Sequence, residues 1–364
     1  MHKMEFDPHW VAWEITGKCD LSCIHCRAKA SFQENPNELK TEEIYSTLDN
    51  IASFSQPIII LTGGEPLMRE DIFDIIAYGH KRGLRMVMSP NGHSITEERA
   101  KLMKEAGIQM ISISLDGSTR EVHDDFRGQE GSFEGTMRGI ETARKYGIDF
   151  QINSSFAKRN QDEAPRLLQL AKDLGAMAWF MFMIVPTGRG ENIMSELVSH
   201  EDYDRMLYWF YSEQKKDEIF MRAVCAPHYF RIRRQKEQEE KARIENSDSE
   251  FRAATKGCLA GQTFVFISRV GDVYPCGYFP VKAGNVRDTS FKKIWNESKP
   301  FKDLRNWDAY KGRCGVCEYK ALCGGCRARA LAVHGDYMAE DPYCRYRPVR
   351  MKTTGQNRAP ADTV

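Results

Sequence analysis

Between residues 11 and 185 a short apolar run followed by an amphipathic segment recurs about six times. Apolar runs that alternate with helices predict a parallel sheet with right-handed crossovers. The predicted strands are Val11–Thr16, Pro57–Leu61, Leu84–Ser89, Ile108–Ser114, Ile148–Asn153 and Met177–Ile184. The predicted helices between them are Thr41–Phe54, Asp71–Lys81, Glu97–Ala106, Phe133–Tyr146 and Asp162–Leu174. This pattern predicts an α/β fold with a partial (β/α)6 parallel barrel, whose chemistry belongs on the loops after the strands.

The pattern changes beyond this barrel, which we assign to residues 1–190. We expect residues 191–257 to form a helical, charged linker near the active site. Residues 258–348 are rich in cysteine and turns, with a predicted hairpin of Phe264–Ser268 and Val273–Cys276. A small region of this kind has little apolar core and is expected to fold around metal. We expect the last segment of the chain, residues 349–364, to be a disordered tail.

Charge and hydropathy exclude several classes of function. Lys+Arg 52 against Asp+Glu 51 indicates no general attraction to nucleic acid or an anionic membrane. The longest apolar runs are too short to span a bilayer, and the first residues lack an apolar signal region. We therefore expect a cytoplasmic protein.

The chain has 11 cysteines, and in a reducing compartment clustered cysteines indicate metal ligands rather than disulfides. They form two groups, 19–26 and 258–344, with Cys225 alone between them. Soft thiolates in such numbers favour zinc or iron–sulfur clusters.

The first group, Cys19-x3-Cys23-x2-Cys26, follows the first predicted strand. Three thiolates can hold three irons of a [4Fe–4S] cluster and leave the fourth iron open to a small ligand. The alternative is a zinc site that includes His25, although zinc sites usually use paired C-x2-C motifs.

Gly63-Gly64-Glu65-Pro66 follows the second predicted strand and therefore lies on the same rim. The glycines allow close approach of backbone groups to a ligand, and Glu65 offers a carboxylate to an ammonium group. An ordinary strand-to-helix turn is the alternative, and it explains only Pro66.

Together these motifs resemble the radical S-adenosylmethionine (SAM) family. The resemblance implies that Cys19, Cys23 and Cys26 hold a [4Fe–4S] cluster whose open iron is chelated by SAM. It also implies a set of SAM contacts: the amino group at Gly63, Gly64, Glu65 and Pro66, the carboxylate and ribose at Ser114 and Arg127, and the adenine at Val185–Gly190. Ser89 and Asn91 are further candidates, for which turn chemistry is the alternative.

The later cysteines resemble the SPASM extension of this family, although the last short gap has two residues instead of three. SPASM domains hold two auxiliary [4Fe–4S] clusters. The resemblance places the distal one on Cys314, Cys317, Cys323 and Cys344, and the proximal one on Cys258, Cys276 and Cys326. Cys225 either completes the proximal set or lies close to substrate; a small buried hydrophobe is its alternative, and two zinc knuckles are the alternative for the region.

Local segments resemble the haem-pathway branch of the family, in particular enzymes acting on Fe-coproporphyrin III. These segments are Ala12–Thr16, His25–Ala28, Cys225–Phe230 and Glu340–Cys344. The resemblance implies SAM-dependent oxidative decarboxylation of two propionates to vinyl groups, giving haem b, with an auxiliary cluster as electron acceptor. It also implies a low-potential electron donor such as a ferredoxin or flavodoxin.

A tetracarboxylate macrocycle needs cations, and guanidinium groups suit carboxylates. The candidate substrate contacts are Arg222, His228 and Arg231, with Arg233 and Arg234 nearby. A hydrogen-bonded histidine is the alternative for His228.

Three alternative functions remain at this point. One is a sister enzyme that removes acetate side chains from didecarboxysirohaem, and another is a SPASM peptide maturase. The third is an electron carrier, which has no use for the SAM motif.

Overall fold

The structure is a computed structural model that describes residues 6–33, 35–243 and 256–353. The predicted disordered tail falls mostly outside the described residues, but its first five residues, Val349–Thr353, form a short helix, so the prediction is wrong there. Residues 244–255 of the predicted linker also lie outside the described residues.

The barrel consists of parallel strands that alternate with helices. Its strands are β1 (Trp10–Thr16), β2 (Ile58–Gly63), β3 (Arg85–Met88), β4 (Met110–Ser114), β5 (Phe150–Phe156), β6 (Ala178–Met183) and β7 (Phe220–Val224). Its helices are α1 (Thr41–Ala52), α2 (Ile72–Lys81), α3 (Glu97–Ala106), α4 (Arg120–Arg127), α5 (Ser132–Lys145), α6 (Ala164–Asp173), α7 (His200–Gln214) and α8 (His228–Arg243). Short 3-10 helices are formed by Pro66–Met68, Gln161–Glu163, Gly188–Glu196 and Trp307–Ala309.

The C-terminal region adds three strands and five helices to this frame. They are β8 (Phe264–Ile267), β9 (Asp272–Tyr274), β10 (Gly284–Asn285), α9 (Phe291–Glu297), α10 (Lys299–Arg305), α11 (Gly312–Val316), α12 (Arg327–His334) and α13 (Val349–Thr353). The predicted hairpin is confirmed, because β8 and β9 pair antiparallel.

All ten strands of the described residues form one sheet in the order β10-β9-β8-β1-β2-β3-β4-β5-β6-β7. The strands from β8 to β7 run parallel, and the barrel stays unclosed because β7 and β10 are the two edges. The predicted fold class is confirmed. All six predicted strands and all five predicted helices form, with ends that differ by at most three residues.

The sequence pattern missed β7, which lies inside the predicted linker. It pairs with β6 from Ala178↔Phe220 to Phe182↔Val224 and so adds a seventh strand to the parallel series. The pattern also missed the short helix α4. Its buried residues are only His123, Phe126 and Arg127, too few to give an apolar periodicity.

Helix α3 shows how local chemistry sets the boundaries of an element. The Thr96 side chain accepts a hydrogen bond from the Arg99 N–H at 3.2 Å and caps the first turn. Gly107, at φ 91°, ends the helix in the left-handed conformation that glycine adopts without strain.

The two faces of the barrel strands differ in burial. Trp179 and Met181 on β6 are fully buried, and Trp179 stacks on Phe210 of α7 with ring centroids 6.1 Å apart. Side chains alternate along a strand, so Phe180 and Phe182 point the other way, toward the barrel interior, where both are only partly buried. The helix-facing side therefore forms the main core, while the interior side retains accessible surface.

Within the described residues, no helix is sufficiently long and apolar to cross a membrane.

Candidate active site

The cysteine loop lies between β1 and α1 at the carboxyl end of the parallel strands. Cys19 and Cys23 are buried, and Cys26 is partly buried. Burial raises the pKa of the Cys19 thiol to about 12, and the Leu21 N–H donates to its Sγ at 3.4 Å. A thiol in this environment keeps its proton until a metal centre replaces it, because metal binding requires the thiolate.

Arg189 holds this loop from the segment after β6. Its Nε donates to the Cys23 carbonyl and its Nη1 to the Ala30 carbonyl, both at 2.8 Å. Its backbone N–H donates to the Cys26 carbonyl at 2.9 Å. The segment predicted to contact adenine therefore also holds the cysteine loop by hydrogen bonds. The sequence did not indicate this second role.

The glycines of the second motif pack directly against the end of β1. The Gly64 N–H donates to the Thr16 carbonyl at 2.8 Å, and the Glu65 N–H donates to the Lys18 carbonyl at 2.7 Å. A Cβ atom on Gly63 would lie 2.3 Å from the Thr16 oxygen, and one on Gly64 would lie 2.1 Å from the Lys18 oxygen. Both positions therefore require glycine to bring the motif against the cysteine loop.

Glu65 is fully buried and links two loops of the rim. Its Oε1 accepts from the Leu67 N–H at 3.0 Å, and its Oε2 accepts from the Asn91 N–H at 2.6 Å. Asn91 Nδ2 in turn donates to Oδ1 of Asp20, inside the cysteine loop, at 2.6 Å. Burial raises the pKa of Glu65 to about 8, although the backbone N–H groups oppose this shift. These contacts join Glu65 and Asn91 to the loop, and they add Asp20, which the sequence analysis missed.

Arg127 connects the end of α4 to the cysteine loop. Its Nη1 donates to Cys23 Sγ at 3.6 Å, and its Nη2 pairs with Asp116 Oδ2 at 2.6 Å. Asp116 is fully buried, and its Oδ1 accepts from the Ser155 N–H at 2.7 Å. The sequence analysis missed Asp116, although it lies only two residues after the SAM candidate Ser114.

Ser89 and Ser114 lie at the same rim as these residues. Ser89 directly follows β3, and its N–H donates to the Leu61 carbonyl at 2.8 Å. Ser114 is the last residue of β4. Their predicted contacts with SAM remain predictions.

The distal cysteines surround one cavity. It is lined by Cys314, Cys317, Cys323 and Cys344, together with His228 and Arg231. The cavity therefore groups the four residues that the SPASM resemblance assigns to one cluster.

Burial raises the pKa of Cys314, Cys317 and Cys323, and neighbouring donors and charges oppose this effect at some of the distal cysteines. The Sγ of Cys314 accepts from the Asp341 N–H and from Arg327 Nη2, both at 3.4 Å. Although burial opposes the shift, His228 and Arg231 lower the pKa of the Cys344 thiol.

The proximal cysteines form a second group that includes Cys225. Burial, followed by the charges of Cys326 and Cys276, raises the pKa of Cys225 well above its ordinary value, and Cys258 adds to this effect. Cys225, Cys258 and Cys276 pack on the small apolar cluster that contains Cys326. Cys225 also has a left-handed backbone, at φ 56°.

Buried donors beside the cysteines test whether iron–sulfur clusters fit. Among the described residues, Arg127 Nε, His25 Nδ1 and Arg329 Nη1 are buried without a hydrogen-bond partner. Arg127 contacts Cys23, and Arg329 donates to the Cys225 carbonyl at 2.9 Å. Unpaired buried donors of this kind fit a sulfur-rich anionic cluster, because hydrogen bonds to its sulfurs tune such a centre.

Across the described ranges, no three His, Cys, Asp or Glu side chains are arranged to hold a single metal ion. Each thiolate of a [4Fe–4S] cluster binds a different iron, so its ligands stand farther apart than the four ligands of one zinc ion.

The candidate substrate residues do not lie together. His228 is buried, with Nε2 3.2 Å from Asp341 Oδ2, and Arg231 lies over the Tyr346 ring, 4.9 Å from its centroid. Both line the distal cysteine cavity, so their placement favours a role beside those thiols over one beside substrate. Arg233 pairs with Glu237 at 2.7 Å on α8. Arg222, on β7, faces the barrel interior, where its guanidinium carbon lies 5.7 Å from the centroid of the Trp10 ring.

Comparison with known proteins agrees with this geometry. Residues 13–171 match the radical SAM superfamily, and residues 258–327 match the SPASM iron–sulfur cluster-binding domain. The AdoMet-dependent heme synthase of Methanosarcina barkeri is 49% identical over 341 residues, 94% of this chain and 97% of that protein. The chain belongs to the radical SAM superfamily. It is a radical SAM enzyme that uses SAM, a [4Fe–4S] cluster and the auxiliary clusters of a SPASM domain.

Two further proteins are similar to this radical SAM enzyme at lower identity. The Fe-coproporphyrin III synthase of Methanosarcina barkeri is 32% identical over 92% of this chain and 87% of its own. The crystal structure of Streptococcus suis SuiB bound to S-adenosylmethionine has the same fold, with a TM-score of 0.72 at 17% identity over 93% of this chain and 78% of SuiB.

Proposed function

We propose that this enzyme converts Fe-coproporphyrin III to haem b by oxidative decarboxylation of two propionate side chains. The observation that carries the proposal is the 49% identity to an AdoMet-dependent heme synthase over nearly the full length of both chains. Two further AdoMet-dependent heme synthases, of Nitratidesulfovibrio vulgaris and Oleidesulfovibrio alaskensis, are 46% and 45% identical.

In the proposed site, Cys19, Cys23 and Cys26 hold the cluster that binds SAM. When bound, the cluster and SAM supply a radical that removes a hydrogen atom from a propionate β-carbon. The chain's own residues connect the loops of this rim by hydrogen bonds. Glu65 and Asn91 tie the second and third loops to the cysteine loop, and Arg127 ties α4 to Cys23.

Formation of a vinyl group also requires an acceptor for one electron. Loss of one hydrogen atom and of CO2 from a propionate leaves one electron more than a vinyl group contains. We assign the acceptor to the proximal set Cys225, Cys258, Cys276 and Cys326, and electron supply to a cytoplasmic ferredoxin or flavodoxin. Tyr278 supports this placement: burial raises the pKa of its hydroxyl, and the charges of Cys225, Cys276 and Cys26 raise it further, so residues of both cysteine groups act on the same side chain.

A second candidate function is removal of acetate side chains from didecarboxysirohaem. The 32% identity to Fe-coproporphyrin III synthase supports this candidate. The 49% identity to an AdoMet-dependent heme synthase supports the decarboxylase more strongly. A peptide maturase receives less support, since the mycofactocin maturase of Mycobacterium tuberculosis is 29% identical over 85% of this chain.

The test is an anaerobic incubation of reconstituted enzyme with SAM, a reductant and Fe-coproporphyrin III. Mass spectrometry is expected to detect two successive losses of CO2 together with two hydrogens. Cys19→Ala, which removes one predicted cluster ligand, serves as the inactive control. Unchanged Fe-coproporphyrin III, together with acetate loss in a parallel incubation with didecarboxysirohaem, would refute the proposal, and unchanged Fe-coproporphyrin III by itself would do the same.

A further inference from the structure

A row of side chains on the interior face of the barrel runs across four neighbouring strands, from Ser114, a predicted SAM contact, to Arg222. Ser114 on β4 is in register with Asn153 on β5, Asn153 with Phe180 on β6, and Phe180 with Arg222 on β7. All four are partly buried and alternate with the buried, helix-facing side chains of their strands. Arg222 is therefore three strand spacings from Ser114, about 14 Å along the sheet.

Arg222 reaches across the interior to the opposite side of the barrel. Its guanidinium carbon lies 5.7 Å from the centroid of the Trp10 ring. Trp10 belongs to β1, which is separated from β7 by five strands in the sheet, so this contact crosses the barrel interior. Arg222 and Trp10 therefore form a part of the barrel's inner surface that is distant from Ser114.

No acidic side chain among the described residues pairs with Arg222. Burial alone lowers its pKa, with no neighbouring carboxylate to oppose the shift. Arg27, also near the interior, differs because its Nη2 lies 3.0 Å from Glu14. Even a partly buried cation without a counter-charge has an energetic cost, and a bound anion would offset that cost.

The walls around Arg222 are aromatic. Phe180 and Phe220 have ring centroids 6.1 Å apart, and Phe220 remains 62% exposed. Phe264 on β8 is in register with Trp10 and is only partly buried. Accessible aromatic faces around one guanidinium suit a flat, apolar ligand that carries carboxylates at its edge.

We propose that Arg222 binds a carboxylate at the non-reacting end of the substrate, whose ring lies against Trp10 and Phe180. This inference rests on the proposed function. The reacting side chain must be next to SAM at the Ser114 end, so a cation on the other side of the interior holds a carboxylate that survives the reaction. Arg222 is then a specificity-determining residue for substrate and product alike, because haem b retains two propionates.

The test is anaerobic absorbance titration of the holoenzyme and its Arg222→Gln variant with Fe-coproporphyrin III, haem b and haem b dimethyl ester. Loss of one charge-assisted hydrogen bond predicts about ten- to a hundredfold weaker binding of both free acids. The ester lacks the carboxylates, so its affinity is expected to be equal in wild type and variant. Arg222→Lys, which keeps the charge without the fork, is expected to bind with intermediate affinity.

Arg82→Gln serves as a matched control, because Arg82 is an exposed arginine already paired with Asp49 at 2.7 Å. Iron content and melting temperature check that Arg222→Gln folds. Unchanged affinity for the free acids, or an equal loss for the ester, would overturn the inference. Failure of the proposed function would look different: the wild type would bind Fe-coproporphyrin III through Arg222 without decarboxylating it.

Discussion

Arg127 Nη1 donates a hydrogen bond to Cys23 Sγ at 3.6 Å. The two residues are 104 positions apart in the chain, and both are buried. The other arm of the same guanidinium pairs with Asp116, so one side chain fixes a cysteine and a buried carboxylate at the rim.

Arg127→Gln is expected to destabilise the enzyme. The substitution leaves Asp116 buried without its counter-charge, which costs about 3–5 kcal/mol when a buried pair is broken. Anaerobic thermal melts of the holoenzyme measure the loss as a lower melting temperature. The double variant Arg127→Gln/Asp116→Asn should recover part of it. An unchanged melting temperature in the single variant would show that the pair contributes nothing.

Glu65 predicts a pH dependence of stability. Burial raises its pKa from 4.5 to about 8, so the folded state binds this proton more tightly than the unfolded state does. The associated stability is fully present below pH 4.5 and is lost as pH rises through about 8. Melting temperatures of wild type should therefore fall relative to those of Glu65→Gln across this range in the absence of SAM. Parallel pH profiles would contradict the prediction.

Cys225→Ala is expected to remove the proximal cluster. If Cys225 is its fourth ligand, the variant loses up to about four iron atoms per chain. Iron determination and electron paramagnetic resonance of the reduced protein measure the change. Full iron content with an unaltered spectrum would place Cys225 outside the cluster.

Asp341→Asn is expected to disturb the region between both auxiliary cysteine groups. Asp341 is fully buried, contacts His228 and Arg329, and accepts from the Cys326 N–H at 2.6 Å. Burial disfavours the protonated form of His228, but the neighbouring Asp341 carboxylate outweighs this effect and the pKa of His228 is raised to about 9. Removing the carboxylate leaves two buried cationic groups without a counter-charge and should cost about 3–5 kcal/mol.

The control for this variant is Asp336→Asn, whose carboxylate pairs with Lys311 at the surface. An exposed pair contributes little, so its melting temperature should stay near that of the wild type. Equal melting temperatures for the Asp341 and Asp336 variants would contradict the role assigned to Asp341.

Much of the fold could be predicted because most of the barrel strands are short, continuous apolar runs that alternate with amphipathic helices. Strand β7 was missed because Arg222 interrupts its short apolar pattern, and only the neighbouring β6 stabilises it as a strand. The first cysteine motif and the glycine motif could be located because the residues of each motif are close together in sequence. The contacts of Arg127, Asp341 and Arg189 could not, since each joins segments that come together only through the tertiary fold.

His228 and Arg231 illustrate a related limit. Their position next to Cys225 in sequence suggested a place beside substrate, yet α8 turns both side chains toward the distal cysteine cavity. Proximity in sequence did not indicate which of the two cysteine groups they face.

The most direct measurement uses Fe-coproporphyrin III deuterated at the propionate β-carbons. After anaerobic turnover with SAM, 5′-deoxyadenosine is isolated and its deuterium content is measured together with the porphyrin products. The proposed reaction predicts deuterium in 5′-deoxyadenosine, with haem b formed by the loss of two carboxyl groups. Unlabelled 5′-deoxyadenosine with an unchanged porphyrin would contradict it.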